Sequence, residues 1–142
     1  MAQEHHDATA QPASIDVLIV GAGPTGLTLA IELARRGIAF RLIDREPDRP
    51  TTSRALGTQQ RTVEVFALMG IPEAALTPAV PSLGVEILEG RKTLARIEEF
   101  GAASPLARGP IIMEESATER VLEQRLTLLG GRIELGTELT AF

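Results

Sequence analysis

Three observations in the 142-residue sequence predict an α/β fold built on a parallel sheet. An uninterrupted apolar run, Ile15 to Val20, leads directly into a glycine cluster, Gly21-Ala22-Gly23-Pro24-Thr25-Gly26. An amphipathic segment follows the cluster. A second apolar run, Ala39 to Ile43, then ends on a carboxylate, Asp44. Strand, glycine turn, helix, strand is the order of a βαβ unit, whose strands run parallel because the helix carries the chain back. A continuous apolar strand is what burial on both faces of a parallel sheet requires, so Ile15 to Val20 is expected to be covered on both sides.

The glycine spacing is G-x-G-x-x-G, and each glycine has a physical task. Gly21 makes the tight turn out of the strand. Gly23 lets a pyrophosphate approach the backbone, and Gly26 lets the helix pack closely on the strand. The helix N-terminus then offers free N–H groups and a positive dipole end to phosphates. Leu27, Ala30, Ile31, Leu33 and Ala34 form an apolar stripe at helical spacing. Arg35 and Arg36 are expected in the last turn and Gly37 at the C-terminal end. An acid about 20 residues past the glycines is where ribose hydroxyls are held. Asp44, at the tip of the second strand, fits that role.

The chain is of one-domain size: a polar tail, expected to be disordered, over residues 1–14, and a domain over 15–142. It is 44% hydrophobic and 23% charged, with only four Phe and no Trp or Tyr. The net charge of −5 does not favour nucleic acid. There is no cysteine, which excludes disulfides, zinc–thiolate sites and a cysteine nucleophile. Cysteine absence suits a cytoplasmic protein, and the opening residues lack the basic and apolar regions of a signal peptide. No apolar run approaches the ~20 residues of a membrane span. His5 and His6, both in the tail, are the only histidines, so a His-based acid–base site in the domain is excluded. No metal site is expected.

After Asp44, the segment Arg45-Glu46-Pro47-Asp48-Arg49-Pro50-Thr51-Thr52-Ser53-Arg54 reads as a loop, with Arg49 solvated and Arg54 set before the next ordered segment. Residues 58–69 read as a helix with Thr58 as N-cap, a buried face of Val63, Phe66, Ala67 and Met69, and Gly70 as its end. A short turn or helix and a loop follow over 73–82. Val85 to Leu88 and Thr93 to Ile97 flank Glu89-Gly90-Arg91-Lys92 and predict a β-hairpin. Ile111 to Met113 is a candidate short strand. Ser116-Ala117-Thr118-Glu119 has the capping-box spacing and opens a helix bearing Val121, Leu122, Leu126 and Leu129. Arg132 to Leu135 reads as a third parallel strand.

Four stretches in this order resemble the N-terminal portion of class A flavin-dependent (FAD) aromatic and polyketide hydroxylases. They are DVLIVGAGPTGLTLAIELARRG, the strand ending Ile43-Asp44-Arg45, Arg54-Ala55-Leu56-Gly57 with the helix after it, and Thr118-Glu119-Arg120-Val121-Leu122-Glu123 with the strand after it. The glycines alone fit many nucleotide-binding proteins; the RALG and TERVLE segments favour FAD over NAD. The resemblance implies FAD at Gly21, Gly23, Pro24, Thr25, Gly26, Asp44 and Arg45, with Arg54 near the pyrophosphate. A guanidinium suits that place because it can fork onto phosphate oxygens. Gln60 matches a further helix position. Glu115 stands where the family usually carries a cofactor-contacting glutamine. Two like charges at ~4 Å and an effective dielectric of ~20 repel by about 4 kcal/mol. The alternative is that Glu114 and Glu115 are solvated first-turn residues favoured by the helix dipole.

The implied chemistry is reduction of FAD by NAD(P)H and transfer of one oxygen atom from O₂ to an electron-rich aromatic or polyketide substrate. The flavin carries the hard steps. The catalytic residues are not identified, and the substrate domain falls mostly outside the chain, with the hairpin as its beginning. Family members run to several hundred residues, so a truncated product, or one piece needing a complementing polypeptide, is expected, with Ile15–Val20 on an open sheet edge. The expected fold is thus α/β: a three-layer, Rossmann-like βαβ FAD-binding fold, incomplete, with a β-hairpin excursion. Two other functions fit the residues: a non-catalytic nucleotide-binding remnant or subunit, and an NAD-binding dehydrogenase domain.

Overall fold

A computed structural model describes residues 14–49, 55–82, 84–97 and 110–142. Residues 1–13 of the expected tail, and Arg54, lie outside them.

The apolar run forms β1 (Val17–Val20), the glycine cluster opens α1 (Pro24–Ala34), and β2 (Phe40–Ile43) pairs parallel to β1, with Ile19 opposite Leu42. Gly23, in extended conformation, is the N-cap of α1, and Pro24 sits at the first helical position, where its missing N–H costs nothing. α1 ends at Ala34, one residue before the arginines, so they lie just past the last turn rather than in it. Both pair with Glu32, and Arg36 also donates to the Glu32 carbonyl at 2.8 Å. Gly37, at φ +67°, turns the chain toward β2.

The middle of the chain holds smaller elements. These are β3 (Gly57–Thr58), α2 (Gln60–Leu68), a 3-10 turn (Glu73–Leu76), β4 (Val80–Pro81) and the hairpin β5 (Val85–Glu89) and β6 (Lys92–Ile97). Then come β7 (Ile111–Ile112), α3 (Glu115–Leu128) and β8 (Ile133–Glu134). β8 lies parallel to β2, giving the order β1-β2-β8 expected of a third parallel strand. Both crossovers step in the same direction, so right-handed connections put α1 and α3 on one face of the sheet. Ile19, Ala22 and Leu42 meet Leu27, Ala30 and Ile31 of α1, Val121, Leu122 and Leu126 of α3, and Phe66, Met69 and Ile71 of the α2 region in one core. Each large side chain fully buried there, such as Leu27 or Leu122, contributes about 1.5–3 kcal/mol.

Four local expectations are corrected. β1 is not covered on both faces: Ile19 is 5% exposed, but Leu18 and Val20, on the other face, are 39% and 57% exposed. Its place at the edge of the sheet, by contrast, is as expected: among the described residues β1 pairs only with β2. Thr58 does not cap α2. It lies in β3 opposite Ile111, and Gln59 is the cap; Ala67 faces solvent while Phe66 and Met69 are buried. The Ser116 capping box is likewise absent, because α3 begins two residues earlier, with Glu114 rather than Ser116 as cap, and Glu119 is buried instead. β3 and β4 flank β7 in a small antiparallel sheet that two-residue strands could not announce.

The helix ends are fixed across the fold. Arg125 of α3 donates from Nε to the Met69 carbonyl at 2.9 Å, setting a cation at the C-terminus of α2. Gly70 turns there at φ +78°, and a Cβ on it would meet Arg125 Nη2 at 2.7 Å. The hairpin forms as expected, with a bulge between Ile87 and Leu88. Its Val85, Ile87, Leu88, Leu94 and Ile97 are each about half exposed.

Candidate functional site

At the C-terminal ends of β1 and β2 the chain opens a cleft of about 610 Å³, in the range of small-molecule sites. In an open parallel sheet this is the end where ligands bind. Its walls are the glycine turn (Val20 to Gly23), the loop after β2 (Asp44, Arg45, Glu46, Asp48, Arg49), Glu119 of α3, and the segment past β8 (Leu135, Thr137, Glu138, Leu139).

The turn is built from three glycines for three distinct reasons. Gly21 has φ +102°, a conformation side chains rarely adopt. Gly26 is packed so tightly that a Cβ would lie 1.9 Å from the Gly21 carbonyl oxygen. Gly23 is different. Its φ of −73° suits any residue, and among the described residues a Cβ there would meet only Glu119 Oε1, at 3.9 Å. None of the described residues demands glycine at Gly23. A ligand approaching the backbone would.

Asp44 anchors the turn. Its Oδ2 accepts the Ala22 N–H at 2.7 Å and its Oδ1 the Glu46 N–H at 3.0 Å. Partial burial alone would raise the Asp44 carboxyl. The two N–H groups, aided by the charges of Arg49 and Arg45, outweigh it and hold the carboxyl below its ordinary value. Asp44 is therefore an ionised acceptor at neutral pH. The main chain of the same residue braces the far wall, since its carbonyl accepts the Thr137 N–H at 2.9 Å.

Arg49 does not behave as the solvated loop residue expected of it. Its side chain is only 24% exposed. Nη1 donates to the Ala22 carbonyl at 2.8 Å, Nη2 to Glu119 Oε2 at 3.1 Å, and Nε lies 3.3 Å from Glu123 Oε2. Glu119, read as a capping residue in the sequence, is the buried anchor of this network. Arg45, by contrast, is largely exposed and pairs with Glu46 at 3.2 Å, a pair of little energetic weight. Among the described residues, five acids and two arginines line the cleft. That balance suits sugar hydroxyls and leaves phosphate recognition to backbone N–H groups and the α1 dipole.

Of the ten predicted site residues, Gly21, Gly23, Asp44 and Arg45 line this cleft. Gly26 is buried behind the turn, and Pro24 and Thr25 form the first turn of α1. Gln60 and Glu115, both half-buried, open α2 and α3 and stand outside the cleft wall. The Glu115 N–H donates to the Ala55 carbonyl at 3.0 Å, and the Met113 N–H to the Leu56 carbonyl at 2.8 Å. The fold thus joins the ALG segment to the start of the TERVLE helix, two stretches about 60 residues apart in the sequence.

Comparison with known proteins agrees with this geometry. The FAD binding domain family matches residues 14–142. The 6-methylpretetramide 4-monooxygenase of Streptomyces rimosus is 40% identical over 124 residues, which are 87% of this chain and 22% of that protein. Pentachlorophenol 4-monooxygenase of Sphingobium chlorophenolicum is 34% identical over 136 residues, 95% of this chain and 25% of that one. Aklavinone-11 hydroxylase, in a ternary complex with FAD and aklavinone, superposes with a TM-score of 0.74 at 25% identity, covering 89% of this chain and 26% of the other. The flavin-dependent monooxygenase PieE, in complex with FAD and substrate, gives 0.69 at 27% identity, covering 87% and 24%. The chain spans about a quarter of the length of these proteins. The family match begins at the foot of β1 and runs past β8, so it takes in every element that lines the cleft, and the chain belongs to the FAD binding domain family, resembling the N-terminal part of flavin-dependent aromatic and polyketide monooxygenases.

Proposed function

We propose that residues 15–142 hold the adenosine and pyrophosphate end of FAD in an NAD(P)H- and O₂-dependent monooxygenase that hydroxylates an aromatic or polyketide substrate. The observation that carries this reading is Gly23: a glycine that none of the described residues requires, on the wall of the cleft, at the N-terminus of a helix. The residues fit the cofactor. Gly21, Gly23, Pro24, Thr25 and Gly26 form the cradle, and the α1 N-terminus attracts the pyrophosphate. Asp44 is ionised, and its carboxylate can accept ribose hydroxyls in addition to the N–H bonds it already holds. Arg45, Arg54, Gln60 and Glu115 are the further candidates carried by the resemblance. Bound flavin would supply the redox chemistry and O₂ activation; the residues here bind and orient it.

The test is an absorbance titration of the purified chain with FAD and, separately, with NAD. Saturable flavin binding, abolished by Gly23→Val in a folded protein, supports the reading. Binding of NAD alone would move the assignment to a dehydrogenase domain. The 142 residues by themselves are expected to bind flavin without oxidising NAD(P)H.

A further inference from the structure

We propose that Arg49 is a positioning residue that aims the Gly23 amide at the cofactor's pyrophosphate, acting through the peptide plane between Ala22 and Gly23. The inference rests on the FAD reading above and deepens it.

A trans peptide holds its C=O and the following N–H in one plane, pointing in opposite directions. Arg49 Nη1 holds the Ala22 carbonyl at 2.8 Å. It thereby turns the Gly23 N–H, on the same plane, away from itself. The preceding plane is fixed in the same way, because Asp44 Oδ2 holds the Ala22 N–H at 2.7 Å and so fixes the direction of the Gly21 carbonyl. Two side chains from the β2 end of the cleft therefore lock two consecutive peptides of the phosphate turn.

Arg49 is itself anchored. Each of its three guanidinium nitrogens faces one acceptor: the Ala22 carbonyl, Glu119 and Glu123. Glu119 is 8% exposed in its side chain, and α3 holds it in place from the core side. A lysine could not do this, having one ammonium where the guanidinium has a rigid fork. The pairing has a second effect. Glu119 Oε1 lies 3.9 Å from the Cβ position of Gly23, so its charge borders the phosphate approach. Arg49 screens that charge while it orients the amide.

Two variants separate the effects. Arg49→Met removes the clamp and the screen. Arg49→Met with Glu119→Gln removes the clamp and the charge together. The readouts are ADP and adenosine affinity by NMR titration, and the shift and exchange rate of the Gly23 amide in the ligand-free chain. Loss of one charge-assisted positioning bond corresponds to roughly tenfold or more in affinity. Arg49→Met is expected to weaken ADP at least tenfold and leave adenosine within about threefold, with faster Gly23 exchange. The double variant should regain part of the ADP affinity but keep the fast exchange. Arg49→Lys should fall between wild type and Arg49→Met.

An unchanged Gly23 amide in Arg49→Met overturns the proposal, as does equal loss of ADP and adenosine. If Arg49→Met does not fold, Arg49→Lys carries the same comparison. Failure of wild type to bind ADP or FAD would refute the cofactor reading instead, while the Gly23 exchange measurement would still decide the clamp.

Discussion

The same substitution, glycine to alanine, should have opposite consequences at Gly26 and Gly23. At Gly26 the added Cβ lies 1.9 Å from the Gly21 carbonyl oxygen. Even a tight contact of 3.0 Å needs the helix and the turn to separate by about 1.1 Å. Overpacking against a side chain typically costs about 1–3 kcal/mol; here the obstacle is main chain, so the upper end applies. Higher helix propensity returns up to ~1 kcal/mol, leaving a net loss of about 2 kcal/mol. For a domain of this size that lowers Tm by roughly 6–10 °C. At Gly23 the Cβ has room, and φ is permitted. Alanine is a poorer N-cap by about 0.5–1 kcal/mol, but its stiffer unfolded chain offsets about 0.4–1 kcal/mol. Gly23→Ala should therefore melt within about 2 °C of wild type, yet bind FAD at least tenfold more weakly, since the methyl occupies the phosphate approach. Thermal unfolding by circular dichroism and FAD fluorescence titration measure both. The reasoning is refuted if Gly26→Ala melts with wild type, or if Gly23→Ala binds FAD unimpaired.

Asp44→Asn keeps the shape but removes the charge that holds two N–H groups; it should cost about 1–2 kcal/mol in urea unfolding, and no loss would mean that the turn is held by other contacts. Arg125→Met should cost about 1–2 kcal/mol and speed amide exchange at the C-terminus of α2 more than in α1, because the cation leaves the Met69 carbonyl. Equal exchange in both helices would contradict that assignment. Acid should destabilise the fold through carboxylates whose folded values are depressed. These are Asp44, by the balance described above; Glu32, through Arg36 and then Arg35; and Glu86, through Thr93 and then Arg96. Their stabilisation is present above the unfolded values, 3.8 for Asp44 and 4.5 for the glutamates, and is lost as pH falls through the lower folded values. The urea midpoint should drop steadily below about pH 5, less steeply in Asp44→Asn; a midpoint flat down to pH 3 would contradict the linkage.

The βαβ unit was legible because several local signals agree on it. The apolar run, three glycines at fixed spacing, Pro24 at the helix start and Asp44 at the strand end each follow from backbone geometry within about 30 residues. The hairpin was legible for the same reason, through Gly90 between two strand-like runs. What the sequence hid depends on partners far away in the chain. Arg49 looks like any charged loop residue until α3 brings Glu119 and Glu123 to it, 70 residues later in the case of Glu119. The Ser116-to-Glu119 spacing imitates a capping box, yet burial claims Glu119 for Arg49. Val20 reads as doubly buried because periodicity reports apolarity, not what covers it; 57% of it meets solvent among the described residues. The far wall, Leu135 to Leu139, carries no motif at all.

That far wall sets an order of assembly. Thr137 and Gly136 donate their N–H groups to the carbonyls of Asp44 and Glu46, and β8 is tied to β2 by the two-pronged pair of Arg41 and Glu134, 93 residues apart. The glycine turn can form early from local contacts, but the cleft has no second side until β8 docks on β2. Contacts so distant in the chain form slowly, because their loop must be closed before they contribute. A ligand that needs both walls cannot template the early steps. It can only trap the finished fold, adding stability in proportion to how far its concentration exceeds its Kd. Synthesis therefore leaves a window in which the phosphate cradle exists and the site does not. Occupancy by cofactor would then report that β8 is in place.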